Sequence, residues 1–157
     1  MKRLLKRKNI ENFMRLKEFV IKNDCDFADE TKLISEDFLK KIEQELGIVF
    51  GPQMQNYILK YGYLGCSHKE LFGINNLQQM QSDMCKHTIS MHKQHPQTQK
   101  MILLEKQDRT IFVVADYNDN VYIYDSKKES LRKTEQDVNT YIIETFSEII
   151  KNKGVLK

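Results

Sequence analysis

Between Met101 and Asp125 three short apolar runs follow one another with almost no chain between them. Met101 to Glu105 is apolar up to its last residue, as a strand covered on both faces is. Ile111 to Ala115 comes after a tight turn at Gln107-Asp108. Val121 to Asp125 alternates Val121 and Ile123 against Tyr122 and Tyr124, with the turn residues Asn118 and Asp119 ahead of it. Parallel strands need a long crossover, so connections this short permit antiparallel neighbours only. A three-stranded antiparallel meander is therefore the frame that everything else must fit.

Helices surround that frame. Ile10, Phe13, Met14, Val20 and Ile21 recur at helical spacing over residues 9–22, with Leu16 and Phe19 widening the face. Ser35 is placed to cap the next helix, and Glu36 and Asp37 favour its positive end. Ile34 and Leu39 form a hydrophobic staple, Phe38, Leu39, Ile42 and Leu46 the buried stripe, and Gly47 the left-handed stop. Pro52 suits a first helical position, and Met54, Tyr57, Ile58 and Tyr61 follow it up to Gly62. Glu70 to Ile74 reads as a short edge strand. Leu77, Met80, Met84, Thr88 and Met91 mark a longer helix closed by Pro96. Thr134 is placed to cap a final helix with Val138, Tyr141, Ile142, Phe146, Ile149 and Ile150 inside, and Gly154 to stop it. An antiparallel sheet (a three-stranded meander plus an edge strand) packed with N-terminal helices and a C-terminal helix is an α+β fold.

The 157 residues suit one domain over 9–157 behind a basic N-terminal tail at 1–8. Removing the five basic side chains of residues 1–8 takes the formal charge from +3 to −2. A dedicated nucleic-acid binder concentrates Lys and Arg on its folded body, so nucleic acid is not the expected partner. A nucleic-acid-linked role would rest on the basic tail alone, and its affinity would fall steeply with salt. No apolar run has the length of a membrane span, and no secretory signal is read at the N-terminus. Cys25, Cys66 and Cys85 are odd in number and lack CxxC spacing. That pattern fits free thiols in a reducing cytosol, so the expected location is cytoplasmic.

Few residues stand in an arrangement that catalysis requires. His92 and His95 stand at i, i+3, but His87 points to another side of that helix, and a zinc site wants a convergent set. These histidines and His68 read as exposed surface groups. Cys66 and His68 at i, i+2 lack an orienting third group, so Cys66 reads as a small buried hydrophobe. Asp116, Asp119 and Asp125 cluster around the last hairpin, where Asp has a structural role in turns. No phosphate-cradling glycine loop and no G-x-S-x-G elbow is present. The expectation is no catalytic residue, no metal and no cofactor.

The order of these pieces carries a resemblance. Ile34-Ser35-Glu36, Ile42 through Ile48, Pro52, and Tyr57 through Gly62 resemble the opening of the SUKH superfamily. That group includes fungal cell-wall-synthesis regulators and many bacterial immunity proteins. Glu70 to Ile74 is similar to its Glu-hydrophobic-Gly edge, Ile102 to Glu105, Ile111 to Asp116 and Val121 to Asp125 to its central strands, and Tyr141 to Ile150 to its closing helix. Lys106-Gln107-Asp108-Arg109 stands where the family often has Gly-Asp-Gly, Phe50-Gly51-Pro52 replaces a Leu-Pro step, and the Trp of relatives is absent. The resemblance spans roughly residues 30–152 and implies a non-enzymatic protein-binding module, an antidote to a cognate toxin domain in the bacterial members. A regulatory scaffold for cellular proteins is the alternative. On a specific interface, buried aromatic anchors stand inside a polar rim. Tyr61, Tyr63 and Phe72 are the candidate anchors, with Glu70 and Asp116 as acidic partners.

Overall fold

A computed structural model describes the backbone of residues 2–155 and the side chains of residues 9–152. Helix α1 (Lys2–Lys22) includes the basic stretch as its first turns. Strand β1 (Asp26–Phe27) follows, then α2 (Glu36–Leu46) and the short α3 (Pro52–Asn56), which continues as a π turn over Tyr57–Tyr61. Strands β2 (Leu64–Cys66) and β3 (Lys69–Glu70) form a hairpin, and α4 spans Asp83–Gln94. The strands β4 (Ile102–Lys106), β5 (Ile111–Ala115), β6 (Asn120–Asp125) and β7 (Ser130–Asp137) lead to α5 (Val138–Val155). The fold is α+β with two antiparallel sheets, ordered β1-β2-β3 and β4-β5-β6-β7.

Local signals explain the early helices. The Ser35 hydroxyl accepts from Phe38 N at 3.1 Å, and Gly47 ends α2 at φ 69°. Ile34 and Leu39, the two ends of the staple, are both buried. Neighbouring residues of β4 and β5 pack into different apolar clusters, as the alternation of a strand requires. Ile102, Leu104, Val113 and Ala115 face the main core with Leu16, Ile42, Tyr57 and Phe146. Leu103, Phe112, Val114 and Tyr124 face a second cluster closed by Met91 of α4. The sheet is thus covered on both sides.

Several expectations change at the sheet and its flanks. The meander has a fourth strand, β7, beyond the expected three. The segment at Glu70–Ile74 borders β4 without becoming one of its ladder strands. Its single link there is Phe72 N to Leu104 O at 3.0 Å, because Lys69 and Glu70 are already paired with β2. Thr134 lies inside β7, where its hydroxyl donates to Val121 O at 2.8 Å. Asp137 supplies the α5 cap instead, accepting from Thr140 N at 2.8 Å, and the helix passes through Gly154 to Val155. Helix α4 likewise starts at Asp83, with Gln79–Gln81 in a separate 3-10 turn.

Candidate functional site

Two glycines bring two backbone segments into contact beside β2 and β3. Gly62 ends the π turn at φ 74°, a conformation that favours glycine. A Cβ on Gly73 would lie 1.8 Å from Gly62 O, so only glycine permits the crossing. Ile74 N then donates to Gly62 O at 3.0 Å, and Leu71 N to Leu64 O at 2.9 Å. The crossing forms the wall of a cavity of about 440 Å³, whose lining includes Lys32, Tyr63, Glu70, Phe72, Asn75 and Gln78. Tyr63, Glu70 and Phe72 of the expected site therefore meet in one place.

The aromatic members are half-buried, and Phe72 is held in place. Phe72 stacks on His87 with ring centroids 5.0 Å apart and planes 16° from parallel. Its carbonyl accepts from the Tyr57 hydroxyl at 2.6 Å. Burial, then the Lys106 charge, holds the His87 imidazole below its usual range. Burial pushes the Tyr63 hydroxyl up, and the Glu70 and Asp26 carboxylates add to it. Glu70 is exposed, so the cavity combines one fixed aromatic ring with a solvated acidic rim.

The other two expected residues sit elsewhere. Tyr61 is 3% exposed and forms part of a separate cavity of about 620 Å³ between α1 and the start of the 3-10 turn at Glu30–Lys32. Phe27, half-exposed, meets the Tyr61 ring edge-on at 5.9 Å. The buried Tyr61 hydroxyl has no hydrogen-bond partner among the described residues. Asp116 closes the β5–β6 turn, accepting from Asn118 N at 2.9 Å, Asn120 N at 3.0 Å and the Tyr122 hydroxyl at 3.1 Å. The next residue, Tyr117, is exposed and shares a cleft of about 740 Å³ with Val49, Ile48, Lys40 and Lys100.

His68 is exposed as expected, but the histidines of α4 and its end differ from surface groups. His92 Nε2 lies 2.7 Å from Met101 O and His95 Nδ1 lies 3.2 Å from the Tyr124 hydroxyl. Both rings are half-buried because α4 lies flat on the sheet and spends them on it. Among the described residues no group of three His, Cys, Asp or Glu side chains gathers as a metal site. Among them also, no helix is long and apolar enough to cross a membrane.

The model of the SMI1-KNR4 cell-wall family, SUKH_5, matches residues 15–151. The chain belongs to the SUKH superfamily. No curated protein matches it.

Two buried polar groupings in this SUKH domain escaped the sequence reading. The first centres on Asp119, whose carboxylate accepts from Gln53 N at 2.9 Å and Met54 N at 3.0 Å. It thereby caps α3 from across the molecule. A Cβ on Gly51 would lie 2.3 Å from Asp119 Oδ1, which explains the glycine before Pro52. Gln53 in turn donates to Asp137 Oδ2 at 3.1 Å and accepts from Asn139 N at 2.9 Å. The Asn139 side chain donates to Asn12 O at 3.1 Å, so the chain of bonds reaches α1. The second grouping centres on Glu105, which is 4% exposed. It receives the Tyr141 hydroxyl and an ion pair from Lys69 at 2.9 Å. The one available signal was a carboxylate closing the apolar run Ile102 to Leu104. A buried carboxylate demands partners, but no sequence pattern says which.

Proposed function

We propose that this SUKH domain is a non-catalytic, cytoplasmic protein-binding module that neutralises a cognate toxin domain by binding it. The family match over residues 15–151 carries the reading, since the resemblance implies protein-binding antidotes among the bacterial members. The cavity beside β2 and β3 supports it physically. Phe72 is a pre-positioned aromatic group beside Tyr63, and a ring held in place loses little freedom on binding. Glu70 gives the rim an acidic contact, which suits a basic target such as a nuclease. In this reading Tyr61 backs the adjoining cavity behind Phe27, and Asp116 braces the β5–β6 turn rather than the contact.

Growth rescue tests the proposal. The C-terminal domain encoded next to this gene is expressed alone in a heterologous host, and then together with this chain. The expected result is killing by the neighbour alone and restored growth with both, with a complex that co-purifies. A harmless neighbour, or killing despite co-expression, would set the regulatory-scaffold reading ahead.

A further inference from the structure

The ladder between β1 and β2 sets Asp26 opposite Gly65 and Phe27 opposite Leu64. One step further along the same register, Cys25 stands opposite Cys66. Directly opposed residues of an antiparallel pair point to the same face, so the two thiols share one side of the sheet. Cys25 is 5% and Cys66 6% exposed, and both belong to the main apolar core. The Cys25 N–H donates to Val20 O at 3.1 Å, so the two cysteines are not a mutually hydrogen-bonded pair. Opposed residues of that kind have Cα atoms about 4.5 Å apart, which falls within the roughly 4.4–6.8 Å that a disulfide spans.

We propose that Cys25 and Cys66 are a redox pair that closes into a cross-strand disulfide, tying the end of α1 to β2. The two thiols influence one another: burial holds the Cys25 thiol up to about 12, and the neighbouring Cys66 adds to the rise. Both thiols are buried in the core, so the pair stays reduced until a small disulfide oxidant reaches it. One thiolate attacks a sulfur of the oxidant and releases one small thiol, leaving a mixed disulfide. The second cysteine then displaces the second small thiol. Two electrons pass from the protein to the oxidant, and the two protons lost by the cysteines are taken up by the released thiols. Access comes through β1, whose Asp26 and Phe27 are both exposed. Cys85 is excluded by its place on α4, where it is fully buried away from this ladder. The bond would fix the edge that carries Phe27 against Tyr61, whatever partner the domain binds.

The full chain incubated with oxidised glutathione, then denatured, alkylated and digested, gives the answer. The expected product links the peptides carrying Cys25 and Cys66 within one chain, two hydrogens lighter, with Cys85 alkylated. The midpoint of thermal unfolding should rise by several degrees and return on addition of dithiothreitol. Cys85→Ser should form the same link, and Cys66→Ser should leave Cys25 unlinked. Full alkylation of Cys25 and Cys66, glutathione adducts that never resolve, or a bond to Cys85 or between chains would each overturn the pairing.

Discussion

At the scale of single residues, Asp119 ties the β5–β6 turn to the start of α3. It adopts φ 63° in the β5–β6 turn, a conformation Asp tolerates better than most residues. From there its carboxylate supplies the cap that Gly51, without a side chain, cannot give to α3. Burial raises its pKa from 3.8 to about 6, outweighing the two N–H groups that pull it down, and Asp137 and Asp116 add to the rise. A carboxyl whose folded value lies above its unfolded one binds its proton more tightly in the native state. Its contribution to stability is therefore complete below the unfolded value and falls as pH rises through the folded one. Asp119→Asn keeps the shape but turns a donor toward one backbone N–H, which should cost about 1–3 kcal/mol at neutral pH. Because Asn does not titrate, the gap between the two proteins should widen as pH falls from 7 to 4.5. Urea unfolding at several pH values measures both quantities. Equal stability at neutral pH, or a gap that narrows in acid, would show that the carboxyl is not held as described.

At the scale of elements, the β4 bulge explains how a charged side chain enters the core. Leu103 pairs with Val114 but Glu105 pairs with Val113, so Leu104 and Glu105 together oppose one residue. A bulge of this kind re-aims a side chain, and here it turns Glu105 toward Tyr141 on α5. The carbonyl of Leu104 is left for Phe72 N, which couples the bulge to the cavity wall. Tyr141→Phe removes the hydroxyl and leaves the buried carboxylate with Lys69 alone. The expected loss is about 1.5–3 kcal/mol, the usual worth of a hydrogen bond to a charged group, read from denaturant unfolding at pH 7. A loss under about 0.5 kcal/mol, within the range of a neutral surface change, would mean that the bond contributes nothing net. The bulge was not legible beforehand, because period-two alternation says nothing about where one extra residue enters. Strand β7 was hidden for a different reason. Ser130 to Asp137 holds only Leu131 as an aliphatic residue, and Arg132, Lys133 and Glu135 are exposed. An edge strand is protected from stray pairing by such charges, so the device that guards it also erases its apolar signature. The helices α2 and α3 were readable because Ser35, Gly47, Pro52 and Gly62 mark their ends locally. The α5 cap was misread because Thr134 and Asp137 both qualify in sequence, and only the ladder spends Thr134 on Val121.

At the scale of the whole molecule, sequence proximity made the expected site look more unified than it is. Tyr61 and Tyr63 flank one glycine, yet Gly62 turns the backbone so that they line different cavities. Asp116 was grouped with them by charge alone, and its oxygens are engaged in its own turn. Two faces thus compete to be the one that binds a partner: the Tyr63–Glu70–Phe72 cavity and the Val49–Tyr117 cleft. The first has the Phe72 ring fixed by stacking and an exposed carboxylate at Glu70. The second exposes more apolar surface and is flanked by Lys40 and Lys100, which would repel a basic target. If the partner is a basic toxin domain, the first face should carry the affinity. Tyr63→Ala should then weaken binding by about 2 kcal/mol, some 30-fold in Kd, as truncation of a central anchor does. Glu70→Lys should slow association and flatten its dependence on salt, the signature of a rim charge. Val49→Asp and Tyr117→Ser should leave the affinity within about twofold, less than 0.5 kcal/mol. Calorimetry and stopped-flow association with the co-purified partner read these differences, and unchanged melting midpoints would exclude simple unfolding. The opposite pattern, with loss at Val49 and Tyr117 and none at Tyr63 and Glu70, would move the partner to the α2 end of the molecule. It would also reverse the inferred charge of the target, because Lys40 and Lys100 would then need an acidic surface to meet.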